Sequence, residues 1–184
     1  MKIYFTGQLY KKADYIKEYE KIIKVIKSKG HKILQDTMEY NAEQVLNQND
    51  TTLQKYYKKY FNFLKEMDCC VAEISFPSTV NIGFDVANII SRGKPVIALY
   101  RKGEDPKFIS PEYSQKMIKI EYTLDTIDEV LEWALLEVEQ KLNRRFTFFI
   151  NSDIDKYLDV VCKNKNTNKS DYLRNLVYKD MKKI

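Results

Sequence analysis

The run Cys-Cys-Val-Ala-Glu-Ile at residues 69–74 is apolar except for Glu73. A strand with no polar side is covered on both faces, as strands of parallel sheets are. Residues 2–6 and 95–100 have the same character, and residues 12–29 repeat apolar side chains at helical spacing. Buried strands that alternate with helices predict an α/β fold with a doubly wound parallel sheet, Rossmann-like or flavodoxin-like.

The rest of residues 1–142 continues this alternation. The sequence predicts further strands at 31–35 and 117–121, further helices at 52–66, 82–92 and 125–142, and loop-rich segments at 40–51 and 102–112. Ligands of a doubly wound sheet bind at the carboxyl ends of its strands. We therefore expect the functional site near residues 6–8, 75–78 and 100–101.

The scarcity of histidine and cysteine excludes several kinds of chemistry. The 184 residues include one histidine, His31, so no site can be built from several histidines. Cys69, Cys70 and Cys162 lack CxxC spacing and make no disulfide framework, which argues against structural zinc and favours a reducing compartment. The loop motifs GxGxxG and GxxxxGK(S/T) are absent. We expect neither a metal nor an organic cofactor.

The hydropathy pattern gives no sign of a membrane protein. No apolar run approaches the roughly 18 residues that a spanning helix needs. The first five residues, MKIYF, lack the long apolar core and cleavage site of a signal peptide. The sequence therefore predicts a cytoplasmic protein without a membrane partner.

Polar side chains gather around the strand predicted at 69–74. Asp68 precedes this strand, and Ser78 and Asp85 lie near the start of the next helix, where free amides favour an anion. Tyr4 and the turn 7–8 belong to the neighbouring strand. We expect a carboxylate, an anion site and a tight turn to meet in one cleft.

Each of these side chains also has a purely structural interpretation. Asp85 could be a charge partner for the positive end of its helix, and Ser78 could only cap that helix. Asp68 could be a solvated turn residue. The residue types alone leave both interpretations open.

Three segments carry a resemblance to a known family: residues 66–78 (EMDCCVAEISFPS), 82–87 (IGFDVA) and 93–100 (GKPVIALY). They resemble the nucleoside 2-deoxyribosyltransferase family, most closely its 2'-deoxynucleoside 5'-phosphate N-hydrolase branch. Residues 3–7 fit the first strand and turn of that family, so the resemblance covers residues 1–140. It implies a homo-oligomer that acts on a small nucleoside or nucleotide.

The resemblance also implies a reaction and a set of residues. The family cleaves the N-glycosidic bond of deoxynucleosides or their 5'-monophosphates through a carboxylate that attacks the anomeric carbon; water or a second base then resolves the glycosyl-enzyme. Carried over, Asp85 is the nucleophile, Asp68 assists the departing base and Tyr4 positions the nucleophile. The implied substrate-binding residues are Gly7, Gln8, Ser78 and Gly83, with Ser78 at the phosphate.

Three departures from the family pattern support a second hypothesis. The family nucleophile is normally a glutamate, one methylene longer than Asp85. The 78–85 segment is one residue longer than in the phosphohydrolase branch, and the turn reads Gln8-Leu9-Tyr10 without that branch's serine and arginine. The alternative is a catalytically degenerate, nucleotide-binding regulator that binds DNA.

The excess positive charge of the chain lies in its last 41 residues. Residues 144–184 contain ten lysines and arginines and five aspartates, whereas residues 1–143 are formally neutral. This asymmetry predicts a separate module at 143–184 and makes it a candidate for nucleic-acid contact. A solvated, lysine-rich tail is the alternative.

The predicted order of this module is strand 145–150, helix 153–164 and a second helix from residue 169. That order resembles the ribbon-helix-helix family, whose paired strands enter the major groove of DNA as a dimer. The resemblance implies DNA contacts at Arg145, Thr147, Lys169 and Ser170. A dimerisation module without DNA binding is the alternative, and Phe149 on the strand favours it.

An aromatic cluster lies in the helix predicted at 52–66. It comprises Tyr56, Tyr57, Tyr60, Phe61 and Phe63. We interpret it as core or dimer interface rather than as a platform for stacking a base.

Overall fold

The computed structural model describes residues 1–10, 12–35, 37–39, 50–109, 115–142 and 148–183. The chain divides into two compact units, Met1–Asn143 and Arg144–Ile184. Most of the segment predicted to be loop-rich, 40–51, lies outside the described residues. No helix of the described residues is long and apolar enough to cross a membrane.

The first unit contains a five-stranded parallel sheet. Its strands are β1 Lys2–Thr6, β2 Lys32–Gln35, β3 Cys69–Glu73, β4 Val96–Arg101 and β5 Met117–Tyr122, in the spatial order β2-β1-β3-β4-β5. The order is flavodoxin-like, and the prediction of a doubly wound α/β fold is confirmed.

Four α-helices of the described residues flank the sheet. They are α1 Ile16–Ser28, α2 Asp50–Glu66, α3 Val80–Ser91 and α4 Ile127–Leu142. The helix predicted from residue 12 is divided, because Lys12–Tyr15 forms a separate 3-10 turn before α1. The ends of the other helices lie within two residues of the predicted ends, where both are described.

Two apolar layers cover the two faces of the sheet. One layer joins Ile3 and Phe5 of β1 to α1 and α4, and the other joins Tyr4 of β1 to α2 and α3. The adjacent Cys69 and Cys70 of β3 alternate between these layers, as side chains of a strand do.

The chain places β2 on one side of β1 and the later strands on the other. This change of direction opens a crevice at the carboxyl ends of β1 and β3. The register pairs Ile3 with Cys69 and Thr6 with Ala72, so these two ends lie side by side. The residues that follow β1 and β3 therefore form the walls of one crevice.

The second unit contains two helices, α5 Ser152–Asn164 and α6 Lys169–Met181. Asparagine side chains cap both: Asn151 accepts from the Ile154 amide at 2.9 Å, and Asn168 from the Asp171 amide at 2.8 Å. The buried apolar core consists of Leu158, Cys162 and Tyr172.

The strand predicted at 145–150 is not formed at residues 148–150, and residues 145–147 lie outside the described part of the chain. A strand needs a neighbour to bond its amides and carbonyls, and the two helices of this unit offer none. The predicted strand pairs with its copy in a second chain, so the single chain does not test it and it stays a prediction.

Candidate active site

A cavity of about 250 Å³ opens at the carboxyl ends of β1 and β2, between α2 and the start of α3. Its described lining residues are Tyr4, Phe5, Thr6, Gly7, Leu9, Tyr10, Gln35, Thr37, Tyr56, Tyr57, Tyr60, Thr79, Asn81, Ile82, Phe84 and Asp85. Asp85 is the one carboxylate among them. The described part of the cavity is therefore an aromatic pocket with one carboxylate, Asp85.

Asp85 lies in the second turn of α3, and three hydroxyl groups from two elements, β1 and α2, surround it. Thr6 Oγ1 donates to Asp85 Oδ2 at 3.0 Å, and the Tyr4 hydroxyl donates to the same oxygen at 3.4 Å. The Tyr60 hydroxyl, from α2, also hydrogen-bonds Asp85. Three side chains thus fix the direction in which the carboxylate points.

Burial and hydrogen bonding act on Asp85 in opposite directions. Burial raises the pKa of Asp85, and the hydroxyls of Tyr60, Thr6 and Tyr4 lower it. The pKa values of Tyr4 and Tyr60 are raised, first by burial and then by the charge of Asp85. Both tyrosines therefore stay protonated and can only donate to the carboxylate.

Ser78 immediately precedes Thr79, the N-cap residue of α3. Its Oγ is buried and has no hydrogen-bond partner among the described residues. The side chain of Thr79, the N-cap residue, makes no capping bond either, so the first amides of α3 are not satisfied by a side-chain cap. An unpartnered hydroxyl beside a helix N-terminus is suited to an anion.

Gly7 lines the cavity, and its lack of a side chain is required there. A Cβ atom at this position would lie 2.7 Å from Cζ and from the hydroxyl oxygen of Tyr19. Tyr19 is fully buried, stacks on Tyr15 and donates to the Gln8 carbonyl at 3.2 Å, so its ring cannot move aside. Gly83, in contrast, is exposed on α3 and is not among the described lining residues, and its substrate contact stays a prediction.

Asp68 does not lie at the cavity. It precedes β3 at the amino edge of the sheet, where its Oδ2 accepts from the Lys2 amide at 2.7 Å. Asp68 is not among the described residues that line the cavity. Its assigned role at the departing base stays a prediction.

The side chain of Gln8 also points away from the cavity. It is 1% exposed, and its Nε2 donates to the Ser75 carbonyl at 2.9 Å. Gln8 therefore supports the turn that Gly7 begins, and its contact with a ligand stays a prediction.

Sequence reasoning missed several lining residues. Thr6 and Tyr60 contact Asp85 directly, and Tyr56 and Tyr57 extend the aromatic wall. Tyr60 is 3% exposed and belongs to the core, as the interpretation of the α2 aromatics has it. The same residue also lines the cavity. The sequence pattern that could have identified the three tyrosines is their spacing at 56, 57 and 60, which places all three side chains near one side of the helix.

Two polar side chains face the cavity without a protein partner. Gln35 at the end of β2 and Thr37 after it are each 6% exposed and line the pocket. Neither side chain makes a hydrogen bond to another described residue. The described residues also contain no group of three or more histidine, cysteine or acidic side chains placed to hold a metal ion.

The two glycines give a matched pair of substitutions. Gly7→Ala is expected to lower the free energy of unfolding by about 1–3 kcal/mol, because the new methyl group overpacks against Tyr19. Gly83→Ala meets no atom within 4 Å and is expected to raise it by about 0.5–1 kcal/mol, since alanine favours a helix interior. Urea unfolding of both variants checks this, and a stable Gly7→Ala protein would contradict the packing argument.

Three curated proteins are similar to this chain, and each is named "Putative 2'-deoxynucleoside 5'-phosphate N-hydrolase 1". The one from Methanococcoides burtonii is 26% identical over 104 residues, 54% of this chain and 80% of that protein. The one from Thermofilum pendens is 30% identical over 100 residues, 54% of this chain and 67% of that protein. The one from Syntrophotalea carbinolica is 27% identical over 141 residues, 74% and 92% of the two chains.

No family model matches the chain. Among solved structures, the CMP N-glycosidase BcmB of Clostridium botulinum is similar, with a TM-score of 0.52 over 74% of this chain and 99% of that one. At 16% identity this likeness concerns the fold alone. Fold and sequence similarity agree with the motifs at 66–78, 82–87 and 93–100, and the chain belongs to the nucleoside 2-deoxyribosyltransferase-like family that includes the 2'-deoxynucleoside 5'-phosphate N-hydrolases.

Proposed function

We propose that this protein is an enzyme that cleaves the N-glycosidic bond of a 2'-deoxynucleoside or its 5'-monophosphate, by hydrolysis or base exchange, with Asp85 as the nucleophile. The single observation that carries the proposal is the position of Asp85, the one described carboxylate in an aromatic cavity, oriented by three hydroxyls. The names of the similar proteins support the same chemistry.

The proposed reaction has two steps. The Asp85 carboxylate bonds to the anomeric carbon as the C–N bond breaks, and the electron pair of that bond leaves with the base. Water or a second base then attacks the anomeric carbon and releases the carboxylate. Because Tyr4, Thr6 and Tyr60 donate to the carboxylate, they hold it in place for the attack and stabilise it as it leaves.

The cavity offers matching subsites for the rest of the substrate. Tyr56, Tyr57 and Phe84 provide aromatic surface for a base, and Gln35 and Thr37 provide polar groups for its edge. The proposed phosphate site is Ser78, which is not itself a described lining residue, together with Thr79 and Asn81 at the start of α3, which line the cavity. The direct experiment is to incubate the purified protein with deoxynucleosides and their 5'-monophosphates and to measure free base by chromatography. Absence of base release from every substrate would refute the proposal.

The phosphate site gives a separate prediction. Ser78→Ala is expected to reduce the preference for monophosphate over nucleoside about 10- to 100-fold, because a hydrogen bond to a charged group contributes about 1.5–3 kcal/mol. Ser91→Ala, at the other end of α3, is the matched control, since its Oγ only bonds the Asn88 carbonyl. Competition binding on both variants measures the preference. An unchanged preference in Ser78→Ala would place the phosphate elsewhere.

A second candidate function belongs to residues 144–184, which we propose form a homodimer and bind DNA. The exposed side chains of this unit favour a dimer: Phe149, Ile154, Tyr157, Val160, Leu176, Val177 and Met181 are all exposed. Three buried residues are too small a core for an independent unit of this size. A second copy would cover the apolar surface and supply a neighbour for the predicted strand.

The residues proposed to contact DNA have different neighbours in the structure. Arg145 and Thr147 lie outside the described residues, and Ser170 is exposed in the first turn of α6. Lys169 pairs with Asp155 at 2.6 Å and Asp159 at 2.7 Å, so a phosphate would compete with two carboxylates for it. Ser170 is thus the better placed of the two described positions.

Truncation tests the dimer and the DNA proposal together. A chain ending at Leu142 is expected to lose DNA affinity and to self-associate more weakly, because residues 1–143 have no net charge. Sedimentation and DNA mobility-shift measurements compare it with the full chain. No DNA affinity of the full chain at low salt would leave residues 144–184 as a dimerisation module only.

The free cysteines of the structure support a reducing, cytoplasmic location for this protein.

A further inference from the structure

Glu73 is a fully buried carboxylate that does not line the cavity. It is the last residue of β3, and its Oε1 accepts three hydrogen bonds: from the Ser75 hydroxyl, from the Ser75 amide at 3.3 Å and from the Tyr122 hydroxyl at 3.1 Å. Its Oε2 has no partner among the described residues. A buried acid with this many donors on one oxygen requires a structural or functional reason.

Ser75, the residue that Glu73 holds, connects three strand ends. Its carbonyl accepts from Nε2 of Gln8, just after β1, at 2.9 Å. Its hydroxyl accepts from the Arg101 amide, at the end of β4, at 2.8 Å. Ser75 itself follows β3. One residue therefore fixes the spacing between the carboxyl ends of β1, β3 and β4.

Both segments that build the reacting centre start at this junction. On one side, Gln8 follows Thr6 and Gly7, and Thr6 donates to Asp85. On the other side, the chain runs from Ser75 to Ser78 and into α3, which carries Asp85. A shift of Ser75 would change the distance between the Thr6 hydroxyl and the Asp85 carboxylate.

We propose that Glu73 is a positioning residue for the cleavage centre: by holding Ser75, it keeps the end of β1 and the start of α3 at the spacing that orients Asp85. This inference rests on the proposed function of Asp85. Glu73 touches no part of the cavity, so it acts through Ser75 and not on the substrate.

The role needs an acceptor at Oε1 and not a negative charge, and this gives the test. Glu73→Ala removes the acceptor and is expected to lower kcat about 30- to 100-fold with KM changed less than about threefold, because a misplacement near 1 Å costs about this much. Glu73→Gln keeps an amide oxygen for the Ser75 and Tyr122 donors and is expected to restore kcat to within about threefold of the native protein.

Two further variants separate positioning from general destabilisation. Ser75→Ala is expected to reproduce the kcat loss of Glu73→Ala, and the double variant is expected to lose little more, because both act through one contact. Tyr122→Phe, which removes the donor from β5, is expected to keep kcat within about threefold. If Glu73→Ala does not fold, the Ser75→Ala result decides.

A readout without turnover keeps this inference separate from the proposed reaction. The three hydroxyls lower the pKa of Asp85, so loss of alignment with Thr6 is expected to raise it in Glu73→Ala and Ser75→Ala but not in Tyr122→Phe. Carboxyl-carbon NMR titration measures this. The positioning role would be overturned if Ser75→Ala kept both the native kcat and the native titration of Asp85. It would also be overturned if Glu73→Gln were as impaired as Glu73→Ala. A native protein that releases no base would refute only the proposed function.

Discussion

Asparagine in place of Asp85 is expected to reduce base release by at least about a thousandfold, because the substitution removes the only described carboxylate of the cavity. The fold is expected to remain intact. Asparagine has nearly the same volume, and its carbonyl oxygen can still accept from Thr6 and Tyr4. Chromatography of released base measures the activity, and thermal unfolding checks the fold. Turnover within about tenfold of the native rate would remove Asp85 from the role of nucleophile.

Asp85→Glu is the informative companion, since the family resemblance implies glutamate at this position. In this structure the donors from β1 and α2 already meet the shorter side chain, with Thr6 Oγ1 at 3.0 Å. One added methylene would displace the carboxylate by more than 1 Å, and we expect about 100-fold slower base release. A faster Asp85→Glu enzyme would show instead that the native site is a degenerate one.

Glu73→Gln is expected to change how the stability of the protein depends on pH. Burial raises the pKa of Glu73 from 4.5 to about 7, against the opposing effect of the Ser75 and Tyr122 hydrogen bonds. Between pH 4.5 and 7 the folded state therefore holds a proton that the unfolded state has released. The free energy of unfolding of the native protein accordingly falls as pH rises, by about 3 kcal/mol in total from this group.

Glutamine cannot ionise, so the free energy of unfolding of Glu73→Gln lacks this decrease with rising pH. The stability of Glu73→Gln relative to the native protein is expected to increase by about 3 kcal/mol between pH 4 and pH 8, as measured by urea unfolding at a series of pH values. Glu121→Gln, the same substitution at an exposed position of β5, is the control. A constant difference between the native protein and Glu73→Gln would mean that the pKa of Glu73 is the same in the folded and unfolded states.

The architecture of the first unit could be predicted from the sequence because burial on both faces leaves a clear pattern. The apolar runs at 2–6, 69–74 and 95–100 became β1, β3 and β4 within one residue at each end. The strand at 145–150 could not be predicted in the same way. A strand of a dimer depends on a second chain, and its sequence pattern carries no information about whether that chain is present.

Some residues of the candidate site could also be predicted from the sequence, and others could not. Tyr4, Gly7 and Asp85 could be placed because they lie at strand and helix ends on adjacent elements. The role of Asp68 rests on the family resemblance alone, because the structure places this residue at the Lys2 amide and not among the described lining residues of the cavity. Tyr60 was assigned to the core alone because a buried tyrosine gives the same pattern whether its hydroxyl meets solvent, backbone or a carboxylate.

Helix α2 combines two tasks in one segment of sequence. Its Tyr60 and Leu64 fill the layer beneath the sheet, while Tyr56, Tyr57 and the Tyr60 hydroxyl form the wall of the cavity. Evolution therefore cannot adjust ligand preference on this helix independently of folding. A substitution at Tyr60 that admits a different base also removes part of the core, so lineages that change specificity are expected to carry compensating changes at α3 or β1, where the same layer is completed.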